Sequence, residues 1–106
     1  MYKFFSLSPE QEARFDGLKT TRELQSHGPL GAGQVVPPHS HAQVALYVVR
    51  GAADFIGQGI RRILGADATA NAVLVPAGAE HGWLSAREGT QIEHVFGEDI
   101  AQGILV

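Results

Sequence analysis

His39 and His41, separated by a single residue, are the pair in this chain whose type and spacing could do chemistry. Side chains alternate across an extended backbone, so residues two apart point the same way, and Gln43 falls on that face as well. Val35 and Val36 favour a strand, and Pro37 and Pro38 each restrict the residue before them to extended conformations. Three side chains with lone pairs, His39, His41 and Gln43, are thereby aimed at one cation. Further along, the apolar run from Val73 to Val75 enters a Pro76-Ala77-Gly78 turn and leaves at His81, a fourth candidate. Neutral imidazole suits zinc, copper, iron and nickel, and oxygen donors suit harder ions. The expected cofactor is a divalent transition metal: Zn, Fe, Ni, Mn or Cu. If Gln43 does not bind, water completes a three-histidine site with the open position expected of catalytic metals.

The two segments together resemble the paired signature motifs of the cupin superfamily. Gly33, His39, His41 and Gly51 match the first motif, and Pro76, Gly78 and His81 match the second. Three positions depart: Ala70 and Ser85 stand where that superfamily has glycine and asparagine, and Val44 where it has a metal-binding glutamate. Strand alternation and the count back from Gly51 therefore disagree on the fourth ligand, Gln43 by one and the barren Val44 by the other. A β-bulge would reconcile them. The resemblance covers residues 33 to 96 and implies an all-β antiparallel barrel, the double-stranded β-helix or jelly roll. It also implies a small metal-dependent protein, among relatives that include proteins rearranging unsaturated sugar acids, dioxygenases and isomerases.

The elements that must position these residues are short strands. Residues 2 to 5 read as a strand, and Ser8-Pro9-Glu10-Gln11 opens a helix of one or two turns that Gly17 ends. Leu18 to Gln25 alternates like an edge strand, and Ser26 to Gly33 reads as a Gly/Pro loop carrying an exposed His27. Val44 to Val49 is apolar on both faces, as in a central strand covered on each side. Ala52 to Ile56 and Ile60 to Leu64 form a hairpin about Gly57-Gln58-Gly59. Gly65 to Asn71 is turn-rich, and strands follow at 73 to 75, 82 to 86 and 90 to 96. Thirteen glycines among 106 residues, with hardly any helical periodicity, agree with a barrel. Residues 1–106 read as one domain, with N-terminal strands and a loop over 1–32 and the barrel motifs over 33–96.

Other polar groups are candidates by parity. Ile92, His94 and Phe96 share one face against Gln91, Glu93 and Val95, so His94 points inward, either as a core histidine or as a proton carrier beside the metal. Tyr47 and Trp83 are candidates to line the substrate pocket or plain core. Glu80 reads as solvated. Arg61 and Arg62 sit next to a hairpin turn and read as surface residues by default, although alternation would send one of them inward, where it could bind a carboxylate.

Composition excludes several classes. With no cysteine there is neither a disulfide framework nor a thiolate ligand or nucleophile. A net charge of −3 without a basic run argues against nucleic acid. No apolar stretch is long enough for a membrane span, and the N-terminus is unlike a signal peptide, so the expected location is cytoplasmic. A homodimer is expected, because the aromatic N-terminus Tyr2-Lys3-Phe4-Phe5 would otherwise expose apolar surface. The sequence leaves three functions open: an enzyme acting on a small polar carbonyl or carboxylate compound, a non-catalytic small-ligand-binding or sensor module, or a structural member with a vestigial site.

Overall fold

Nine strands and two helices succeed one another in the computed structural model, which describes residues 1–106. They are β1 (Lys3–Phe5), α1 (Pro9–Gly17), β2 (Gln25–Leu30), β3 (Val35–His39), β4 (Ala45–Arg50), β5 (Ala52–Gly57), β6 (Ile60–Gly65), β7 (Ala72–Val75), β8 (His81–Ser85), β9 (Thr90–Phe96) and α2 (Glu98–Leu105). Five strands form one antiparallel sheet in the order β1-β7-β4-β9-β2, and four form the other in the order β3-β8-β5-β6. The two sheets face each other as the mostly antiparallel jelly roll that the strand pattern implies.

Period-two alternation on β4 divides the interior. Ala45, Tyr47 and Val49 point between the sheets, where Phe55, Trp83 and Ile92 meet them. Leu46 and Val48 point the other way and are buried too, under Phe15 of α1 and Ala101 and Ile104 of α2. That double burial is why the segment is an unbroken apolar run. Phe15 alone, fully enclosed, contributes about 2 to 3 kcal/mol by leaving water. Helix α1 starts at a capping box: the Ser8 side chain accepts from Gln11 N–H while the Gln11 side chain accepts from Ser8 N–H. Charge fixes its other face. Arg50 of β4 donates to Glu93 of β9 at 2.9 Å and to Asp16 of α1 at 2.9 Å.

Four sequence readings need correction. Leu18 to Gln25 is not an edge strand: the chain turns after α1, and β2 begins at Gln25 and runs through the segment read as a loop. Pro29 is tolerated there because β2 is an edge strand pairing only with β9. His27 is consequently on a strand and half-buried, not in an exposed loop. Helix α2 had no counterpart in the sequence reading; its Ile100, Ala101, Ile104 and Leu105 recur at helical spacing, but eight residues are short for that signal. The N-terminal aromatics, finally, pack inside their own chain, Tyr2 and Phe4 edge-on to Phe55 at 4.9 and 5.7 Å.

Candidate metal centre

His39, His41 and His81 converge, with one ligand atom from each all lying within 4.8 Å of one another. His39 closes β3 and stands directly across the ladder from His81, the first residue of β8. The pairing slips between Val36 and His39, where Pro37 and Pro38 have no N–H to give the ladder. Gly82 permits the approach: a methyl group there would meet the Val36 carbonyl oxygen at 2.9 Å and Pro38 N at 3.1 Å. His41 lies beyond the strand end, held by a bond from Gly78 N–H to its carbonyl at 2.7 Å. The Pro-x-Gly turn of one motif thus braces the His-x-His of the other.

Backbone carbonyls fix two of the rings. His39 Nδ1 lies 2.8 Å from Pro37 O and His81 Nδ1 lies 2.9 Å from Ala79 O, which only N–H groups can satisfy. Both rings therefore present an Nε2 lone pair, the arrangement that orients metal-binding histidines elsewhere. His39 Nε2 is buried without a hydrogen-bond partner. Such an orphan costs about 1 to 3 kcal/mol unless an electron-pair acceptor meets it. A cation fits that requirement, and three imidazoles suit a late transition metal. Burial, with the neighbouring histidines reinforcing it, pushes His81 down to about 4 and lowers His41 as well. Neutral imidazole is the form a metal needs.

Tyr47 enters the same centre. Its hydroxyl lies 2.7 Å from His81 Nε2 and 3.1 Å from His41 Nε2, donating to the first and accepting from the second. Burial pushes this phenol well above its ordinary range. The second pocket candidate, Trp83, is fully enclosed one layer deeper, between Tyr47 and Phe55, because its inward parity on β8 leads into the core rather than to an opening.

A cleft of about 490 Å³ leads to the triad, lined by His27, His39, His41, His94, Pro37 and Phe96 among others. His94 is inward, as its parity with Ile92 requires, and its ring stacks on His27 at 5.1 Å. Its Nδ1 is buried without a partner. Burial, then the adjacent His27, lowers His94 to about 4. All of the chain's histidines therefore gather at one end of the barrel. His27 was invisible to sequence reasoning because Gly28 and Pro29 mimic a loop; only pairing with β9 at His27↔Ile92 brings it here.

Gln43 lies in the bend between β3 and β4, exposed, beside His41 and Phe96 and with its Oε1 toward Gly97. Strand alternation does not carry to it, because β3 ends at His39. Glu80 is exposed, and its carbonyl accepts from the Tyr2 hydroxyl, which ties the N-terminus to the turn before His81. Neither arginine of the hairpin reaches the cleft: Arg61 pairs with Asp54 at 2.6 Å, and Arg62 lies over the Phe4 ring at 4.5 Å.

No family model matches the chain, and no curated protein matches it. Solved structures do. KdgF from Halomonas sp. is 22% identical with a TM-score of 0.55, covering 71% of this chain and 80% of that one. An RmlC-like cupin from Shewanella frigidimarina is 23% identical with a TM-score of 0.53, covering 73% and 70%. A cupin superfamily protein from Desulfitobacterium hafniense is 15% identical with a TM-score of 0.56, covering 91% and 99%. At these identities the likeness establishes the fold, and the fold is that of a small cupin.

Proposed function

We propose that residues 1–106 form a single cupin domain that holds one divalent transition metal through His39, His41 and His81 and isomerises a small polar carbonyl compound by proton transfer through His94. One observation carries this reading: buried His94 lines the same cleft as His39 and His41 of the triad. The metal, when bound, would supply a Lewis acid for the carbonyl oxygen. His94 accepts a proton from the carbon beside that carbonyl, leaving the electron pair in the conjugated system, and returns the proton at a neighbouring carbon. Burial favours its neutral form, ready to accept. His27, stacked on it, keeps the ring plane toward the cleft. The absence of lysine and arginine from the lining favours a substrate of little charge, or a carboxylate whose charge the metal shares. A free base beside the triad favours isomerisation over dioxygen chemistry, which needs none.

We extend the proposal to a homodimer. Val35, Ile56 and Ile63 are exposed on the outer face of the four-stranded sheet, where Val35, Leu84, Asp54 and Ile63 stand in one cross-strand row. A second copy covering that row would remove their apolar surface from water.

The test begins with protein purified without a metal-affinity tag. One metal per chain is expected for the wild type and none for His39→Ala or His81→Ala, both still folded. Deuterium uptake from solvent into 2-oxo acids and unsaturated sugar acids is then followed by NMR. His94→Gln is expected to keep its metal and thermal midpoint and to lose about 10² to 10⁴ in rate. A His39→Ala or His81→Ala protein that still binds one metal with unchanged affinity sinks the site. Lost stability with unchanged rate per folded molecule makes His94 a core histidine, and the protein a binding module.

A further inference from the structure

We propose that Tyr47 Oη is a fourth metal-binding atom of this centre, an inference that rests on the metal-binding reading above. The hydroxyl oxygen lies 2.7 Å from His81 Nε2 and 3.1 Å from His41 Nε2. With metal–ligand bonds of about 2.1 Å, adjacent donors in a coordination shell stand about 3.0 Å apart in octahedral and about 3.4 Å apart in tetrahedral geometry. Tyr47 Oη is therefore already near the edge distance of a shell that includes both histidines. It holds their ring nitrogens by hydrogen bonds. A cation that takes the two Nε2 lone pairs removes those partners and leaves the oxygen beside itself.

The oxygen has nowhere else to go. Tyr47 is fully buried on β4, the middle strand of its sheet, and its ring is wedged among His81 at 5.1 Å, His94 at 5.0 Å and Trp83 at 5.4 Å. Swinging the phenol away would empty part of the core. Competing donors are poorly placed. Val44 has no lone pair, and Gln43 is exposed in the bend with its Oε1 toward Gly97. On coordination the hydroxyl proton is exchanged for the cation and leaves to solvent, and His41 turns its own lone pair inward by carrying its proton on Nδ1. The donor set becomes three imidazoles and one anionic oxygen, harder than three imidazoles with water.

The metal alone serves as probe. Tag-free, metal-free protein is titrated with Cu(II), and stoichiometry is read together with resonance Raman spectra excited in the visible charge-transfer region. The wild type is expected to bind one copper per chain and to show enhanced tyrosinate ring modes. Tyr47→Phe is expected to bind one copper through the triad, at least about tenfold more weakly, without those modes. The chain has two tyrosines, so Tyr2→Phe, which keeps the modes, assigns them to Tyr47 even if Tyr47→Phe does not fold. One copper per chain in the wild type without tyrosinate modes overturns the inference and leaves the triad standing. No stoichiometric copper in the wild type overturns the metal-binding reading, and this inference with it.

Discussion

At the scale of single residues, the protein concentrates its titratable interior in one place. His81 and His94 are both held near 4 by burial, and His27 and His41 are lowered too. His94 is faced by His27 from β2, by Tyr47 from β4 and by Phe96 from its own strand. Its sign is fixed by linkage. An unfolded histidine takes its proton near 6.5, whereas folded His94 resists until about 4. Stability of the metal-free protein is thus unaffected by this group above about pH 6.5 and falls as pH drops from there to about 4, by up to about 1.4 kcal/mol per pH unit for each such histidine. Urea unfolding at pH 7, 6 and 5 is expected to show that decline, with a shallower slope in His94→Gln. An identical slope in the variant would mean His94 is protonated alike in both states.

At the scale of elements, the centre depends on β3 lying close against β8. Gly82 is the residue that allows it, since a Cβ would meet backbone atoms of Val36 and Pro38. Gly82→Ala is expected to remain folded, lose about 1 to 3 kcal/mol from overpacking, and weaken metal binding, because His39 is displaced from its partner across the ladder. Calorimetric metal titration and thermal melting check both halves; unchanged affinity would show that the triad tolerates a wider gap. The opposite sheet is fixed by charge. Glu93, almost fully buried next to His94, receives Arg50 and Lys19 at 2.9 and 3.4 Å. Glu93→Ala is expected to cost about 2 to 3 kcal/mol in urea unfolding, since Arg50 is partly solvated, with the metal stoichiometry unaltered. The His-x-His strand and the Pro-x-Gly turn were legible as elements because proline and glycine act locally. β2 was not, because pairing with β9 overrode the same two residue types.

At the scale of the whole molecule, metal and fold are linked. A metal that binds only the folded chain adds about 2.7 kcal/mol at a hundredfold excess over Kd, so the melting midpoint is expected to rise by roughly 10 to 20 °C for a domain of this size. His39→Ala and His81→Ala are expected to abolish the rise, and a rise that persists would mean that the metal binds elsewhere. Quaternary structure belongs here as well. The aromatic N-terminus is covered by its own barrel, so the case for a dimer passes to Val35, Ile56 and Ile63. Sedimentation is expected to give twice the 11.3 kDa chain mass, and Ile63→Lys to halve it. No helix is long and apolar enough to cross a membrane.

The sequence by itself determined the β character and the inward parity of His94, because strand alternation acts over a few residues, and it joined His81 to His39 and His41 only through the resemblance of its two motifs to a known superfamily. Only the tertiary structure decided that His27 stacks on His94, that helices α1 and α2 cover the second face of β4, and that the Tyr47 hydroxyl sits between His41 and His81. Tyr47 meets His94 across β4 and β9 and meets His81 across the barrel. Such meetings depend on sheet order and register, which long-range hydrophobic packing selects. Local pattern could say which way Tyr47 pointed, but not what it would find there.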